Sequence, residues 1–258
     1  MKLPVARLAK NVAKSAFATI FPDVCLTCGA LVSKQGVVCA QCWPTLSFIE
    51  RPYCEVTGAP FSVDFGIGAI SAGALANPPS YTMARSATIH TNSARKLVTR
   101  LKYGDRTDLA PWMADWMIRA GRELIPECDL IVPIPLHRMR YFARRYNQAA
   151  ELGRAIAHKT NIAFAPEALT RVRATKQQVG LNERQRRDNV RGAFKVPPEA
   201  EIKIAGRTIL LVDDVLTTGA TANAAARQLF KAGALKVYVL TFSQVVPLHN
   251  DTQNFKFK

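Results

Sequence analysis

The run Thr208-Ile-Leu-Leu-Val-Asp213 constrains the fold of this chain more than any other stretch. A strand with one face in water alternates apolar and polar side chains, whereas Ile209 to Val212 places four apolar residues in succession. That pattern belongs to a strand covered on both faces, as in a parallel sheet between layers of helices. A glycine-containing turn and an alanine-rich helical stretch over 222–231 follow, and Ala234 to Phe242 reads as the next strand. Strand, helix, strand in that order predicts a parallel α/β domain with right-handed crossovers.

The strand ends in two adjacent carboxylates, Asp213 and Asp214, and then Val215-Leu-Thr-Thr-Gly-Ala-Thr221 opens the helix. Acids at the end of a buried strand cost free energy unless they have a use. Backbone N–H groups at a helix start point outward with partial positive charge, so Gly219 and Ala220 suit a phosphate. Thr217, Thr218 and Thr221 add hydroxyl donors around the same anion. Asp213 and Asp214 can accept hydrogen bonds from a pair of sugar hydroxyls or help to hold a hydrated Mg²⁺. The bland alternative is a capped helix with Asp214 exposed. No Gly-Lys-Ser/Thr follows, which excludes a Walker loop.

Upstream, Asn92 is placed to cap a helix carrying Leu97 and Leu101, and Asp108 another running through Trp112, Trp116 and Ile118. Asp129-Leu-Ile-Val-Pro-Ile-Pro135 reads as a buried strand closed by proline. A helix from about Asn147 presents Ala149, Leu152 and Ile156 on one face, and Leu169–Val172 is expected to add a strand. Residues 62–83 hold Gly66, Gly68, Gly73, Pro78 and Pro79 and read as loops, while 249–258 read as a polar tail. No internal repeat is legible. The expected division is a first segment over 1–61 and an α/β domain over 62–250.

The first segment is too small to fold on an apolar core alone, so a metal clip makes physical sense. Cys25-Leu-Thr-Cys28 and Cys39-Ala-Gln-Cys42 offer four thiolates from two tight knuckles, a donor set suited to tetrahedral zinc. Four sulfur ligands leave no open position, so such a zinc is structural. A redox dithiol is the competing reading, although it ordinarily uses a single C-x-x-C at a helix start. Cys54 and Cys128 lack an evident partner and read as buried thiols.

The chain of 258 residues is 48% hydrophobic, with a mean hydropathy of +0.00, which excludes disorder of the whole. No apolar run reaches the roughly 20 residues of a membrane span, so none is expected. Lys2, Arg7, Lys10 and Lys14 are scattered among apolar residues near the start. Leu8, Val12 and Phe17 there suggest an amphipathic helix, packed on the body or lying on a membrane surface. The cysteine pairs and the want of a separate basic region followed by an apolar one make a cytoplasmic protein the working expectation.

Net charge is +16, from 35 Lys and Arg against 19 Asp and Glu, which favours phosphate-bearing partners. Much of it sits in two places. Arg138, Arg140, Arg144 and Arg145 interleave with Tyr141, Phe142 and Tyr146, a pattern suited to single-stranded nucleic acid. Arg140, Arg144, Arg145 and Tyr146 are the nucleic-acid-binding candidates. Arg171, Arg173, Lys176, Arg184, Arg186, Arg187 and Arg191 stand against only Glu183 and Asp188 in a glutamine-rich loop, which reads either as a nucleic-acid-tracking partner of the first group or as a solvated charged helix.

The segment Val212-Asp-Asp-Val-Leu-Thr-Thr-Gly219 resembles the phosphoribosyl-diphosphate (PRPP) signature of type I phosphoribosyltransferases. The resemblance implies that Asp213 and Asp214 contact the ribose hydroxyls and that Thr217 to Thr221 bind the 5-phosphate. It implies a diphosphate loop at Leu136-His137-Arg138, and a mobile lid in the basic loop. Arg138 and Arg184 are then the catalytic candidates, offsetting charge as diphosphate departs. Thr217 stands where purine-specific members carry an aspartate, which weakens a purine-salvage reading.

Adding Leu101-Lys-Tyr-Gly-Asp105, Pro133-Ile-Pro-Leu-His-Arg138, Arg145-Tyr-Asn-Gln148 and the cysteine knuckles, residues 22–245 resemble the ComF family of competence proteins. That implies a zinc-ribbon module on a type I phosphoribosyltransferase-like domain. It also implies single-stranded DNA and the DNA-uptake or recombination machinery as partners. Enzyme activity is left open: either a PRPP-type ligand is bound in a DNA-handling protein, or ribose 5-phosphate is transferred from PRPP, with Mg²⁺, to an acceptor. At Cys54-Glu-Val-Thr57-Gly58 the chain departs from relatives with a further C-x-x-C-G, since Thr57 offers no thiolate.

Overall fold

The computed structural model describes residues 22–104, 106–136, 146–173, 185 and 190–246. The predicted N-terminal helix, residues 137–145, most of the basic loop and the C-terminal tail lie outside them. The chain divides into two compact units, Met1–Thr45 and Leu46–Lys258. Residues 46–61, grouped with the cysteines in the sequence reading, pair within the second unit: Ala84 N–H donates to Val56 O and Ile49 N–H to Ala87 O.

In the first unit, an isolated bridge joins Val24 to Leu31 and closes the first knuckle. A 3-10 turn over Trp43–Thr45 follows the second.

The second unit runs α1 (Ala72–Ala76), β1 (Met83–Ile89), α2 (Asn92–Tyr103), α3 (Ala110–Ala120), β2 (Leu130–Pro133), α4 (Gln148–Thr160) and β3 (Ala163–Phe164). It continues with β4 (Thr170–Arg171), β5 (Phe194–Lys195), α5 (Pro198–Ile204), β6 (Thr208–Leu216), α6 (Ala220–Lys231) and β7 (Lys236–Gln244). The sheet has the order β1-β7-β6-β2-β3, parallel at every pairing. Helices cover both faces. Ile209 and Leu211 of β6 join Ala225 and Leu229 of α6 and Ala200 and Ile204 of α5 in one apolar cluster. The other face receives α3 and α4. There Trp116 stacks on Phe242 with ring centroids 5.9 Å apart. Gly153 lets α4 approach closely, since a Cβ would stand 3.0 Å from Phe164.

Three expectations change in detail. Thr91, not Asn92, occupies the N-cap of α2. Asp108 lies in a 3-10 turn ahead of α3, whose N-cap is Leu109. The strand expected near Leu169–Val172 exists as β4, but it pairs antiparallel with β5 in a separate ribbon. The sheet takes β3 instead, whose two residues are too few to leave a periodic signal.

Candidate functional site

The C-terminal ends of parallel strands meet helix N-termini, which makes that edge the natural ligand side of an open α/β sheet. Here β6 ends in Asp213 and Asp214, the chain turns through Thr217 and Thr218, and α6 begins after Gly219. Gly219 adopts φ +74. A Cβ there would meet nothing closer than 3.6 Å, so the demand is for backbone conformation and not for space. Gly219, as the N-cap of α6, supplies no side-chain cap. A small pocket lined by Asp213, Val215, Leu216, Thr217, Gly219, Thr221, Ala222 and Thr241 sits in this bend. Thr218 is exposed and Ala220 buried at its rim.

The two acids are in different surroundings. Asp214 is buried, and its Oδ2 lies 2.8 Å from Lys102 Nζ in the last turn of α2. Asp213 is half-buried, and its Oδ1 accepts the Asp214 N–H at 2.8 Å. Burial, followed by the neighbouring Asp214 carboxylate, pushes Asp213 up to about 7, while Lys102 and Arg171 pull it down. Arg171 also lies over the Phe194 ring, 5.2 Å from its centroid. His90, just past β1, hydrogen-bonds through Nδ1 with Ser243 Oγ at 2.8 Å. Burial and then Lys102 hold His90 below its ordinary value, with Asp214 opposing.

Lys102 and His90, beside the acid pair, are not among the sequence candidates, and Arg171 enters there only as part of the basic loop. Lys102 lies inside the quoted Leu101-Lys-Tyr-Gly-Asp105 stretch, which was the available signal.

Of the proposed diphosphate loop, Leu136 is described and half-buried. The segment leading to it is fastened beside the acid pair, since Ile134 N–H donates to Val212 O at 2.9 Å. Tyr146 donates its hydroxyl to Leu101 O at 2.5 Å, next to Lys102. His137, Arg138, Arg140, Arg144, Arg145 and Arg184 lie outside the described residues.

The sulfurs of Cys25, Cys28, Cys39 and Cys42 all lie within 4.8 Å of one another. Tetrahedral zinc with bonds of about 2.3 Å sets its sulfurs roughly 3.8 Å apart, so the set fits the metal. Cys28 Sγ and Cys39 Sγ are 3.7 Å apart. Burial acts to raise Cys25, but the Cys39 N–H and two further backbone donors bring it down to about 6. Burial and the adjacent Cys28 and Cys39 sulfurs push Cys42 up to about 12. Such a cluster takes its full charge only with a cation at its centre. The fit is to structural zinc, with no side left open for a substrate.

Comparison with known proteins agrees with both halves. Residues 16–73 match the double zinc ribbon domain family, and residues 154–245 the phosphoribosyl transferase domain family. DNA utilization protein YhgH of Salmonella typhi is 30% identical over 221 residues, covering 84% of this chain and 88% of that protein. The chain belongs to the ComF/YhgH family. Competence protein F of Haemophilus influenzae is 34% identical over 111 residues, or 43% of this chain and 48% of that one. The glutamine PRPP amidotransferase from B. subtilis, solved with ADP and GMP, aligns with 55% of this chain and 30% of its own, at 18% identity and a TM-score of 0.37. Among the described residues, no helix is long and apolar enough to cross a membrane.

Proposed function

We propose that this protein binds PRPP or a related sugar phosphate at the C-terminal end of β6 and works in DNA utilisation, handling single-stranded DNA through its arginine-rich segments. The observation that carries the reading is the bend from Asp213 and Asp214 through Thr217 into the N-terminus of α6. One side of that bend accepts hydrogen bonds and the other donates them. A ribose 5-phosphate needs both, hydroxyls toward carboxylates and phosphate toward N–H groups. The zinc-ribbon match and the names of the relatives support the DNA-utilisation half.

In this reading Asp213 and Asp214 hold the ribose hydroxyls, and Lys102 gives up part of its contact with Asp214 as they arrive. Thr217, Thr218 and Thr221 with the N–H groups of α6 hold the phosphate. Mg²⁺ accompanies the diphosphate. Arg138 and Arg184 are assigned to the diphosphate, and Arg140, Arg144, Arg145 and Tyr146 to DNA.

Calorimetry with PRPP and Mg²⁺ tests the pocket, on the wild type and on Asp213→Asn and Asp214→Asn. Micromolar binding that each substitution weakens about 10- to 100-fold is expected. A folded, zinc-loaded wild type that binds no PRPP overturns the reading. The completeness of the acid pair and phosphate turn also favours a second reading, an active transferase in which the C1–O bond breaks, pyrophosphate leaves and an acceptor nucleophile bonds C1. Release of pyrophosphate from bound PRPP in the presence of an acceptor, lost in the same variants, separates that reading from binding alone.

A further inference from the structure

The segment Pro52–Leu75 repeats most of the backbone hydrogen bonding of the cysteine module Asp23–Trp43. In the first knuckle, Cys25 N–H donates to Ala30 O, Gly29 N–H to Cys25 O and Val32 N–H to Asp23 O. In the second, Cys54 N–H donates to Ala59 O, Gly58 N–H to Cys54 O and Phe61 N–H to Pro52 O, each shifted by 29 positions. The isolated bridge Val24–Leu31 likewise reappears as Tyr53–Pro60. Gly29 and Gly58 both take positive φ, +81 and +66.

The bonds to the ligand positions repeat as well. Ala30 N–H donates to Cys28 Sγ at 3.4 Å, and Ala59 N–H donates to Thr57 Oγ1 at 3.4 Å. Cys39 N–H donates to Cys25 Sγ at 3.2 Å, and Ser71 N–H donates to Cys54 Sγ at 3.3 Å. Trp43 N–H donates to Cys39 O, and Leu75 N–H to Ser71 O. The positions of Cys25, Cys28, Cys39 and Cys42 thus correspond to Cys54, Thr57, Ser71 and Ala74.

We infer that residues 52–75 are a second zinc ribbon that has exchanged its metal for hydrogen bonds. The match of 16–73 to a double zinc ribbon implies two metal centres, but the second donor set is one thiol, two hydroxyls and a methyl group. Zinc of the structural kind takes four Cys or His donors, so these residues do not fit it. Hydrogen bonds and an ion pair hold the fold in its place. Cys54 is fully buried and accepts the Ser71 N–H; Ser71 Oγ accepts the Ala74 N–H at 3.3 Å and caps α1. Arg85, at the centre of β1, reaches Glu55 on the knuckle at 2.8 Å and also donates to Glu55 O. A Cβ at Gly58 would stand 2.5 Å from Ala84 O, so the knuckle is seated directly on the first strand. No internal repeat is legible in the sequence because cysteine and glycine recur only at 25/54 and 29/58, and the spacer to the second pair lengthens from ten residues to 13.

Zinc content of the full-length chain by mass spectrometry tests this. One zinc per chain is expected for the wild type and for Cys54→Ser, and none for a folded Cys25→Ser/Cys28→Ser variant. The triple substitution Thr57→Cys/Ser71→Cys/Ala74→Cys is expected to raise the content to two. With cobalt in place of zinc, it should roughly double the sulfur-to-metal absorption band. Two zinc ions in the wild type, or loss of zinc on Cys54→Ser, overturns the inference. So does a triple variant that keeps the wild-type circular dichroism yet gains no metal. None of these readouts depends on PRPP or DNA.

Discussion

Asp213 is where the chemistry of single residues is most exposed to test. Burial and the Asp214 carboxylate raise it from an ordinary 3.8 to about 7, against the opposing pull of Lys102 and Arg171. Between those two values the folded chain keeps a proton that the unfolded chain has lost, so this group's contribution to stability falls as pH rises through that window. Ligand hydroxyls prefer the carboxylate as acceptor, so sugar-phosphate affinity should climb as pH passes 7. Calorimetry across pH 6 to 8 reads the climb, with the range set by that value. Asp213→Asn should flatten it and weaken binding about 10- to 100-fold, the worth of one or two hydrogen bonds to a charged group. Two glycines give a matched contrast. Gly219→Ala meets only the conformational cost of φ +74, roughly 1–2 kcal/mol. Gly58→Ala meets φ +66 and a carbonyl oxygen 2.5 Å away, so it should lose clearly more in thermal denaturation. At this scale the acid pair and the threonine turn were legible because they are contiguous. Lys102 was not recognised as a partner of Asp214, since 112 positions of sequence separate what a helix end brings to 2.8 Å.

Elements were legible where one rule of burial applied along their whole length. The uninterrupted apolar run of β6 and the Ala149, Leu152, Ile156 stripe of α4 both became buried faces. The first strand breaks that rule. Met83-Ala-Arg-Ser-Ala-Thr-Ile89 carries Arg85, Ser86 and Thr88, which suggest a surface, yet all three are buried. Each has a partner from far along the chain: Ser86 Oγ meets Thr241 Oγ1 at 2.6 Å, and Thr88 Oγ1 donates to Phe242 O. Arg85 holds Glu55 and Glu123 together. Polar residues are tolerated inside only when such partners exist, and a single sequence does not display the partners. Arg85→Leu should therefore be costly although it makes the strand look more regular. It leaves the two carboxylates with only the more exposed Arg51 as a shared cation. Because these are partly exposed, the loss should fall below the ~3–5 kcal/mol of a fully buried pair, at about 2–3 kcal/mol in urea titration. A variant as stable as the wild type would show that the network positions the knuckle without stabilising it.

For the whole molecule, the charge is legible in composition while its arrangement is only partly so. The stretches 138–145 and 171–191 hold eleven basic residues against two acids, more than half of the net +16. Elsewhere, cations such as Lys159, Lys203 and Lys236 are paired with Asp115, Glu167 and Glu127. The excess is thus concentrated in two stretches of sequence, the pattern expected of charge used in binding and not spread for solubility. If these stretches neutralise phosphates, each contact releases condensed counterions, and the logarithm of affinity falls linearly with the logarithm of salt concentration. For single strands the slope changes by about 0.7 per phosphate neutralised. Fluorescence anisotropy with a labelled oligonucleotide, from low to physiological salt, should therefore give a steep slope for the wild type. Arg144→Ala/Arg145→Ala should make it shallower by roughly 1.4 and weaken binding without regard to sequence. The same titration on a Cys25→Ser/Cys28→Ser variant asks whether the zinc module contributes. A parallel line displaced to weaker affinity would assign it uncharged contacts or orientation, and a shallower line a share of the phosphates. A wild-type slope near zero would mean that the concentrated charge serves the sugar diphosphate and not a nucleic-acid backbone. That outcome would leave the pocket at Asp213 and Asp214 as the feature on which the molecule's chemistry turns.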